Sequence, residues 1–530
     1  MDSRQAGVRP FVVFCAMIAS LGTFNSGVNT SALNIPSYYV RNCPDSDGVT
    51  YYPGSSLPQC IKMDDWIWGV STGMLACGGL FGALSSGALA ERFGRRDSML
   101  MMNICFVIGA VLMSTSTTSA QFAVGRVIVG AASGFMTTIV SVYITEISPP
   151  SHRGVLVAFL QLFTTIGIFA IEAIGLGLRS PVGWRVVTVI TVAPALIQAI
   201  GLLFCARSPR WLVSQNRVDE ARVAMLRLRK GAIEDEFAEM SSGVVGSPSS
   251  SPSAPPPETT EKDSLADTTV FHEELPKAKQ DTHHLSFFQV IRIRKLAILI
   301  FQQMVLHAGS QLTGINAIMY YSTSIFEVSF GDNAAYVTVG VAALNIFATI
   351  VGQLLIDRLG RKFLMLISSV CMCLFAALMT VGMALDISVL QVVCIMLFVA
   401  SFGIGLGIVP FLFTAECLPT YAVGAGCSAA LMSNWFFNFI VGLVFPTLQS
   451  ACGDYVFLIF VGLTFFLSLF IFFFTKETKR KTIEEIGREL GWYDLDIHGI
   501  LSPSSPTEDG NGAAIVENMP AAPTTTELKN

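Results

Sequence analysis

The stretch Gly309-Ser310-Gln311-Leu312-Thr313-Gly314-Ile315-Asn316-Ala317-Ile318-Met319-Tyr320-Tyr321 is polar and glycine-rich, yet it lies inside an apolar run. That run begins near Lys295 and is about 30 residues long, enough to cross a bilayer. Gln311 and Asn316 are five residues apart, so on a straight helix they point about 140° away from each other. A break at Gly314 would let both amides face one cavity. Unwound backbone at membrane depth is tolerated only inside protein or beside water. Broken helices near the midplane are where secondary transporters hold their substrates. A second reading stays open here: a helix that packs closely through Gly and Ser, with its amides bonded to neighbouring helices.

The bulk composition sets the class. Of 530 residues, 52% are hydrophobic and 13% charged, with a mean hydropathy of +0.59. Soluble chains carry roughly 25% charged residues, so this is a polytopic membrane protein. A net charge of −5 over that length argues against a nucleic-acid partner. The apolar runs are about 20 residues long, as helices need, without the ~10-residue alternation of a barrel. The first run, Phe11 to about Leu33, is too long and too polar at its end for a signal-peptide core, and reads as an uncleaved first span. Of 12 cysteines, ten sit in or beside apolar runs, where inert packing is the default. Cys371 and Cys373 lack partners for a metal site. Cys43 and Cys60 share one polar loop, which leaves a disulfide between them open.

Twelve spans are predicted, near 11–33, 66–90, 98–116, 120–143, 154–178, 184–205, 296–325, 334–356, 363–385, 387–415, 424–448 and 453–475. The loops at Glu91–Arg96 and Asp357–Lys362, the 206–295 connection and the tail from Lys476 carry Lys and Arg, whereas the alternate short loops carry few. The positive-inside rule places both termini in the cytoplasm. The Ser37–Asp65 loop is then extracellular or lumenal, where Cys43 and Cys60 can oxidise. Residues 217–240 have the spacing of an amphipathic helix, with Val218, Ala221, Met225, Leu228 and Ile233 among charges. Residues 241–283 are Ser/Pro-rich and read as disordered. A short helix is expected at Ile483–Leu490, and disorder from Leu501 onward.

Three signatures recur in one order. Glu91-Arg-x-Gly-Arg-Arg returns as Asp357-Arg-x-Gly-Arg-Lys, 266 residues later. Glu146-x-x-Pro149 returns as Glu416-x-x-Pro419, 270 later. Ser208-Pro-Arg210 is echoed by Glu477-Thr-Lys479, 269 later. Three matches at nearly one offset mean two duplicated six-span halves. The organisation is therefore 1–205, an N-terminal six-helix half; 206–295, a cytoplasmic linker, helical and then Ser/Pro-rich; 296–475, a C-terminal six-helix half; and 476–530, a cytoplasmic tail. Arginines on these tight glycine turns can pair with Glu146 or Glu416 at helix ends. Partly shielded pairs of that kind can lock one face and release on the other. The alternative is that the charges only set topology.

With these strings in hand the chain resembles the sugar porters of the major facilitator superfamily, most closely the facilitative hexose transporters. The resemblance covers about residues 10–235 and 285–490. It rests on the duplicated Asp/Glu-Arg-x-Gly-Arg-Arg/Lys loops, Gly125-Arg126, Glu146, Arg153-Gly154, Ser208-Pro-Arg210 and the string Gln311 to Phe326. Ser433-Asn-Trp435-Phe-Phe-Asn438-Phe and Glu477-Thr-Lys479 complete it. It implies the major facilitator fold, an all-α membrane protein of twelve transmembrane helices in two six-helix halves with a cytoplasmic helical linker. It also implies sugar contacts at Gln161, Gln311, Asn316, Asn345, Asn434 and Trp435. An inner gate is expected from Arg92, Arg95, Glu146, Arg153, Arg358, Arg361 and Glu416. Several positions depart from the family pattern. Ser310 stands where a second Gln is usual, Gly403 where Glu is, and Phe411 where Trp is. The Arg expected after Glu416-x-x-Pro419 is missing, with Val423 near its place. Arg207 and Lys476 are smaller departures. D-glucose itself is in doubt on this account, as is the strength of the second lock.

Read from the residues alone, six spans offer polar groups at middle depth: Asn25 and Asn29; Gln161 and Thr165; Gln311, Asn316 and Tyr320; Asn345; the Gly403-x-Gly405-x-Gly407 run before Pro410; and Asn434, Trp435 and Asn438. The first helix of each half is expected to be interrupted by glycine, at Gly22 and Gly27 in one and at Gly309 and Gly314 in the other. An anionic substrate would call for Arg or Lys at this depth and a cation for Asp or Glu. Neutral amides beside an aromatic face suit a neutral polyhydroxyl molecule, since each Asn or Gln both donates and accepts. About four net bonds of roughly 1 kcal/mol each give millimolar-scale affinity, which lets a carrier release its ligand.

A proton symporter needs a titratable group in or beside the site. Asn29 stands where proton-coupled sugar porters resemble one another in having Asp, and Asn cannot titrate. Span-embedded ionisable residues are few: Arg126 near the outer end of span four, Glu172 near the outer end of span five, and His307 a turn before Gln311. His307 is the best remaining proton candidate. No Gly-x4-Gly-Lys-Ser/Thr loop is present, so ATP does not drive transport. The glycines of span ten follow no strand and make no dinucleotide fingerprint. Facilitated diffusion of a hexose-like sugar is the expectation. Proton coupling through His307 and a non-transporting sugar sensor on the same fold are the alternatives. No enzyme is expected, because no nucleophile–base or metal spacing lies at one depth. No cofactor, metal, nucleotide or nucleic acid is expected; the partners are a neutral sugar and membrane lipid. The plasma membrane is the default location, with a vacuolar or endosomal membrane open.

Overall fold

The structure, a computed structural model, describes residues 9–41, 43, 50–149, 152–230, 233–234, 236–238, 240, 287–419, 421–481, 483–493 and 495. The tracts expected to be disordered, 241–283 and from Leu501 onward, lie outside the described residues. The first half of the chain folds into α1 (Pro10–Ser31), α2 (Ser37–Arg41), α3 (Asp65–Phe93), α4 (Arg95–Ser114), α5 (Ser119–Ile147), α6 (Arg153–Gly177), α7 (Gly183–Ile190) and α8 (Val192–Phe204). The connection contributes α9 (Pro209–Ser214), α10 (Val218–Leu228) and α11 (Phe287–Arg292). The second half contains α12 (Arg294–Leu312), α13 (Ile315–Phe330), α14 (Ala334–Leu359), α15 (Arg361–Ala384), α16 (Ser388–Ile404), α17 (Val409–Cys417), α18 (Val423–Cys452) and α19 (Val456–Phe474). The tail carries α20 (Ile483–Leu490), at the position expected from the sequence.

Ten stretches are long and apolar enough to cross a bilayer among the described residues. One of them, Val423–Phe474, is two helices joined by a 3-10 turn at Gly453–Tyr455. The interrupted pair α12–α13 is not among the ten. Counting that pair as one span and α18 and α19 as two, the order of elements accommodates the twelve spans read from the sequence. The outward faces are apolar: on α19, Phe466 and Phe473 are each 69% exposed. A helix apolar all round suits hydrocarbon rather than water.

Inside the bundle, helices approach through small residues. A Cβ added at Gly134 of α5 would lie 2.0 Å from the carbonyl oxygen of Gly79 on α3. One added at Gly69 would lie 2.2 Å from the carbonyl of Leu443 on α18. That second contact joins the two halves of the chain. Backbones this close leave no room for larger side chains, so packing and not hydrophobic exclusion holds such pairs.

The expectation of an interrupted first helix is corrected. α1 runs unbroken from Pro10 to Ser31 through both Gly22 and Gly27. Gly27 serves close approach instead, since a Cβ there would meet the Thr164 carbonyl at 2.0 Å. Span ten does bend, between α16 and α17. Ser368 Oγ of α15 accepts the freed N–H of Leu406 at 3.2 Å.

The predicted 217–240 helix is interrupted: α10 ends at Leu228, and residues 234, 236–238 and 240 are helical again. Arg229 then caps the end of α5, donating to Ile147 O at 2.7 Å and Ser148 O at 3.2 Å. The tail does the same for α17, where Trp492 Nε1 donates to Cys417 O at 3.0 Å. Each half thus has its last carbonyls satisfied by the segment that follows it.

Candidate functional site

Gly314 decides the centre of the molecule. Its φ is +91°, in the left-handed region, and α12 stops at Leu312 while α13 starts at Ile315. Only glycine adopts this conformation without penalty, and a Cβ there would also sit 2.7 Å from the Phe460 ring. The break swings the two amides together: Asn316 Nδ2 donates to Gln311 Oε1. Both are buried, as is Ser310, whose Oγ accepts from Gln311 Nε2 at 3.4 Å.

Below the break, α13 is tied to α18. Tyr320 donates to Asn438 Oδ1 at 2.8 Å, and Tyr321 donates to Gly442 O at 2.7 Å. Trp435 of α18 lies against Gly79 of α3, where an added Cβ would fall 2.4 Å from the indole. Only a residue without a side chain lets this ring reach the opposite half. Asn345 Oδ1, Asn434 Nδ2 and Trp435 Nε1 are buried and find no partner among the described residues. So do Asn25 Nδ2 and Asn29 Oδ1. Buried polar atoms are normally paired, and these five include both donors and acceptors. Gln161 is half-buried, one helical turn from buried Thr165; among the described residues no hydrogen bond links it to the other amides.

Two ionisable groups within the spans, Arg126 and His307, have partners of their own. Arg126 is fully buried and donates to the backbone carbonyls of Asn29, at 2.8 Å, and Thr72, at 3.3 Å. His307 Nε2 lies 3.1 Å from Thr414 Oγ1, whose single hydroxyl proton has Pro410 O at 2.8 Å and Gln303 Oε1 at 3.0 Å as acceptors. Its ring stands edge-on to Phe411 at 4.8 Å. His307 is thus held in the α12–α17 interface by hydroxyl and ring contacts.

At the charged end the two halves repeat one construction. Arg95 binds Glu146 Oε1 through Nη2 at 2.9 Å and donates Nη1 to Ala90 O; Ser208 donates to Glu146 Oε2 at 2.5 Å. Arg361 binds Glu416 Oε1 through Nη2 at 3.0 Å and donates Nη1 to Ile356 O; Thr478 donates to Glu416 Oε2 at 2.5 Å. Both pairs lie within a half and not between halves. Arg92, Arg153 and Arg358 are exposed and form no ion pair with another described residue. The sequence register needs a shift of one: Ser208 corresponds to Thr478, at the same 270-residue offset as Glu146 and Glu416. That shared offset was the signal available in the sequence. The departures also find places. Arg207 pairs with Asp97 at 2.9 Å, and Lys476 donates to Glu489 O at 2.8 Å. A Cβ at Gly403 would meet Asn345 Oδ1 at 3.0 Å, so that oxygen lies against bare backbone.

Cys43 and Cys60 form a disulfide with their Cα atoms 5.5 Å apart, and the other ten cysteines are free thiols. At this end of the bundle the halves meet through groups that the sequence did not single out. Ser31 Oγ donates to Met319 O at 3.1 Å, and Asn34 Nδ2 donates to Ser322 Oγ at 2.8 Å. Arg179 pairs with Asp332 at 3.7 Å. Toward the charged end, Gln353 Nε2 donates to Ala158 O at 2.8 Å.

The family model described as "Sugar (and other) transporter" matches residues 11–490. The chain belongs to this sugar transporter family. A rabbit (Oryctolagus cuniculus) relative in it, solute carrier family 2, facilitated glucose transporter member 3, is 32% identical over 495 residues. That match covers 91% of this chain and 92% of the relative. The human protein of the same name is 31% identical over 509 residues, covering 93% and 94%. Among solved structures, the inward-open conformation of the xylose transporter XylE from E. coli superposes with a TM-score of 0.69 at 20% identity. It covers 90% of this chain and all of that one, and shows that the sugar transporter shares the major facilitator fold. As a family member with this set of apolar helices, the chain is an integral, multi-pass membrane protein and not an enzyme.

Proposed function

We propose that the protein carries a neutral, hexose-like sugar across a membrane by alternating access and facilitated diffusion. The observation that carries this reading is the left-handed break at Gly314, which brings Gln311 and Asn316 into one hydrogen-bonded pair in the interior of the bundle. The substrate contacts are Gln161, Gln311, Asn316, Tyr320, Asn345, Asn434 and Trp435. Such groups match hydroxyls in both senses, and no carboxylate or basic side chain stands among them. The relatives' names, facilitated glucose transporters, support the same substrate class.

In this reading residues 1–205 and 296–475 are two halves that rock about the site, with 206–295 and 476–530 on the cytoplasmic side. The Arg95–Glu146 and Arg361–Glu416 constructions brace the inner ends, and exposed Arg92, Arg153 and Arg358 are available to pair across the seam when that side closes. The Cys43–Cys60 loop is extracellular and the membrane is the plasma membrane. Facilitated diffusion is favoured over proton coupling because Asn29 does not titrate and His307 is committed to Thr414 and Phe411. The test is uptake into proteoliposomes of the purified chain, with hexoses, pentoses and polyols as competitors. Counterflow of a labelled hexose supports a carrier; saturable binding with no counterflow would instead make it a sensor.

A further inference from the structure

At the end of the bundle that bears the disulfide, a carboxylate lies beneath the join between the halves. Glu172 of α6 is 3% exposed. It forms no ion pair with a described Lys, Arg or His. It accepts from Asn34 Nδ2 at 3.0 Å. Asn34 follows α1, so this bond lies within the first half.

Asn34 reaches from there into α13. Its Nδ2 also donates to Met319 O at 3.2 Å and Ser322 Oγ at 2.8 Å, and its Oδ1 accepts the N–H of Thr323 at 3.1 Å. Carbonyl 319 and N–H 323 are the two ends of one helical turn. The Asn34 amide therefore bridges a turn of a helix that belongs to the other half. Ser322 and Thr323 continue the network to Thr338 of α14, at 3.3 and 3.0 Å.

An amide can sit in its site either way round. Flipped, Asn34 would aim its oxygen at the Glu172 carboxylate and its NH2 at the Thr323 N–H, opposing like to like at both ends. The Thr323 N–H only donates and Glu172 Oε1 accepts from the NH2, so the two contacts together hold the one orientation that bridges α13. We infer that Glu172 is the positioning residue of a latch: it orients Asn34 so that the amide locks α1 to α13 and holds this end of the bundle shut. The inference rests on the alternating-access reading, in which the bonds to Met319, Ser322 and Thr323 break in every cycle while Asn34 stays on Glu172. Gln keeps a side-chain oxygen that can accept from Asn34 and Leu does not, so losing the acceptor should weaken the latch more than exchanging the carboxyl for an amide.

The test uses a reporter thiol and no sugar, so its outcome is independent of whether the substrate reading survives. Ser37 is buried at the same join, its Oγ 3.4 Å from Ser324 Oγ of the other half. In a Ser37→Cys background, labelling by a hydrophilic maleimide in detergent micelles reports how often this end opens; the parent without that substitution supplies the blank. Glu172→Leu should speed labelling by about fivefold, the effect of losing one hydrogen bond. Glu172→Gln should speed it less. Asn34→Ala should match Glu172→Leu, and the double variant should exceed neither, because both remove one device. Equal labelling in parent, Gln and Leu variants, or additive effects of the Asn34 and Glu172 changes, would overturn the inference. If Glu172→Leu does not fold, the Gln variant and Asn34→Ala, alone and combined, decide the same point.

Discussion

Ser208 and Thr478 are 270 residues apart, and each donates its hydroxyl, at 2.5 Å, to the carboxylate oxygen left over by an arginine. Glu146 and Glu416 are the carboxylates, and Arg95 and Arg361 the arginines. The duplicated unit is therefore a three-residue cluster, closed by the segment that leaves each half. A hydroxyl bond to a charged acceptor contributes about 1.5–3 kcal/mol, less where water reaches it.

Thr478→Ala and Ser208→Ala should each destabilise the protein by about 1 kcal/mol. The measurement is the thermal unfolding midpoint in detergent. Thr478→Ser, which keeps the hydroxyl, should restore the parental value. A midpoint equally lowered by Ala and Ser would locate the effect in packing.

Gln311→Ala or Asn316→Ala should lower uptake, as kcat/KM, by about 5- to 30-fold, the factor that goes with one to two kcal/mol. Membrane abundance should be unchanged, because no fold-wide contact is lost. Unchanged uptake of every sugar tried would remove this pair from the site.

Gly314→Ala should be more severe. The left-handed conformation costs an L-residue roughly 1–2 kcal/mol, and the methyl would also press on Phe460. The expected readout is a lower folded yield with little or no uptake in what remains. Near-normal uptake would mean that the helix can be continuous.

Reduction of Cys43–Cys60 should cost about 3 kcal/mol, as for loops of this length, and lower the unfolding midpoint. Peptide mapping without reductant checks the pairing. Double replacement by Ser should reproduce the reduced midpoint.

Uptake should be indifferent to a protonophore. His307→Gln, which keeps a polar partner for Thr414, should leave it so. Collapse of uptake on dissipating the proton gradient, with loss of that sensitivity in the variant, would establish the symport reading instead.

Much of this architecture was legible because lipid imposes strict rules. Apolar runs of helical length gave the spans, and polar residues with Gly314 inside such a run gave the break. The glycines of α1 misled because glycine does two jobs. Gly314 takes a positive φ, whereas Gly27 sits in regular helix and admits a neighbour's backbone. Residue type alone does not separate these uses. The latch was invisible for another reason. Asn34, Glu172 and Thr323 are far apart in sequence, and half of the bonds end on main-chain groups, which every residue carries. The gate arginines were legible as a set, but not which of them pair: Arg95 and Arg361 do, whereas Arg92, Arg153 and Arg358 form no ion pair with another described residue.

The caps on Ile147 and Cys417 have a practical consequence. Arg229 belongs to the connection and Trp492 to the tail, so each set of helices carries its own brace on its own downstream chain. Covalent continuity between residues 240 and 287 contributes to neither. Two separately translated pieces, divided in that interval, should each keep a complete inner end and reassemble into a working carrier when produced together.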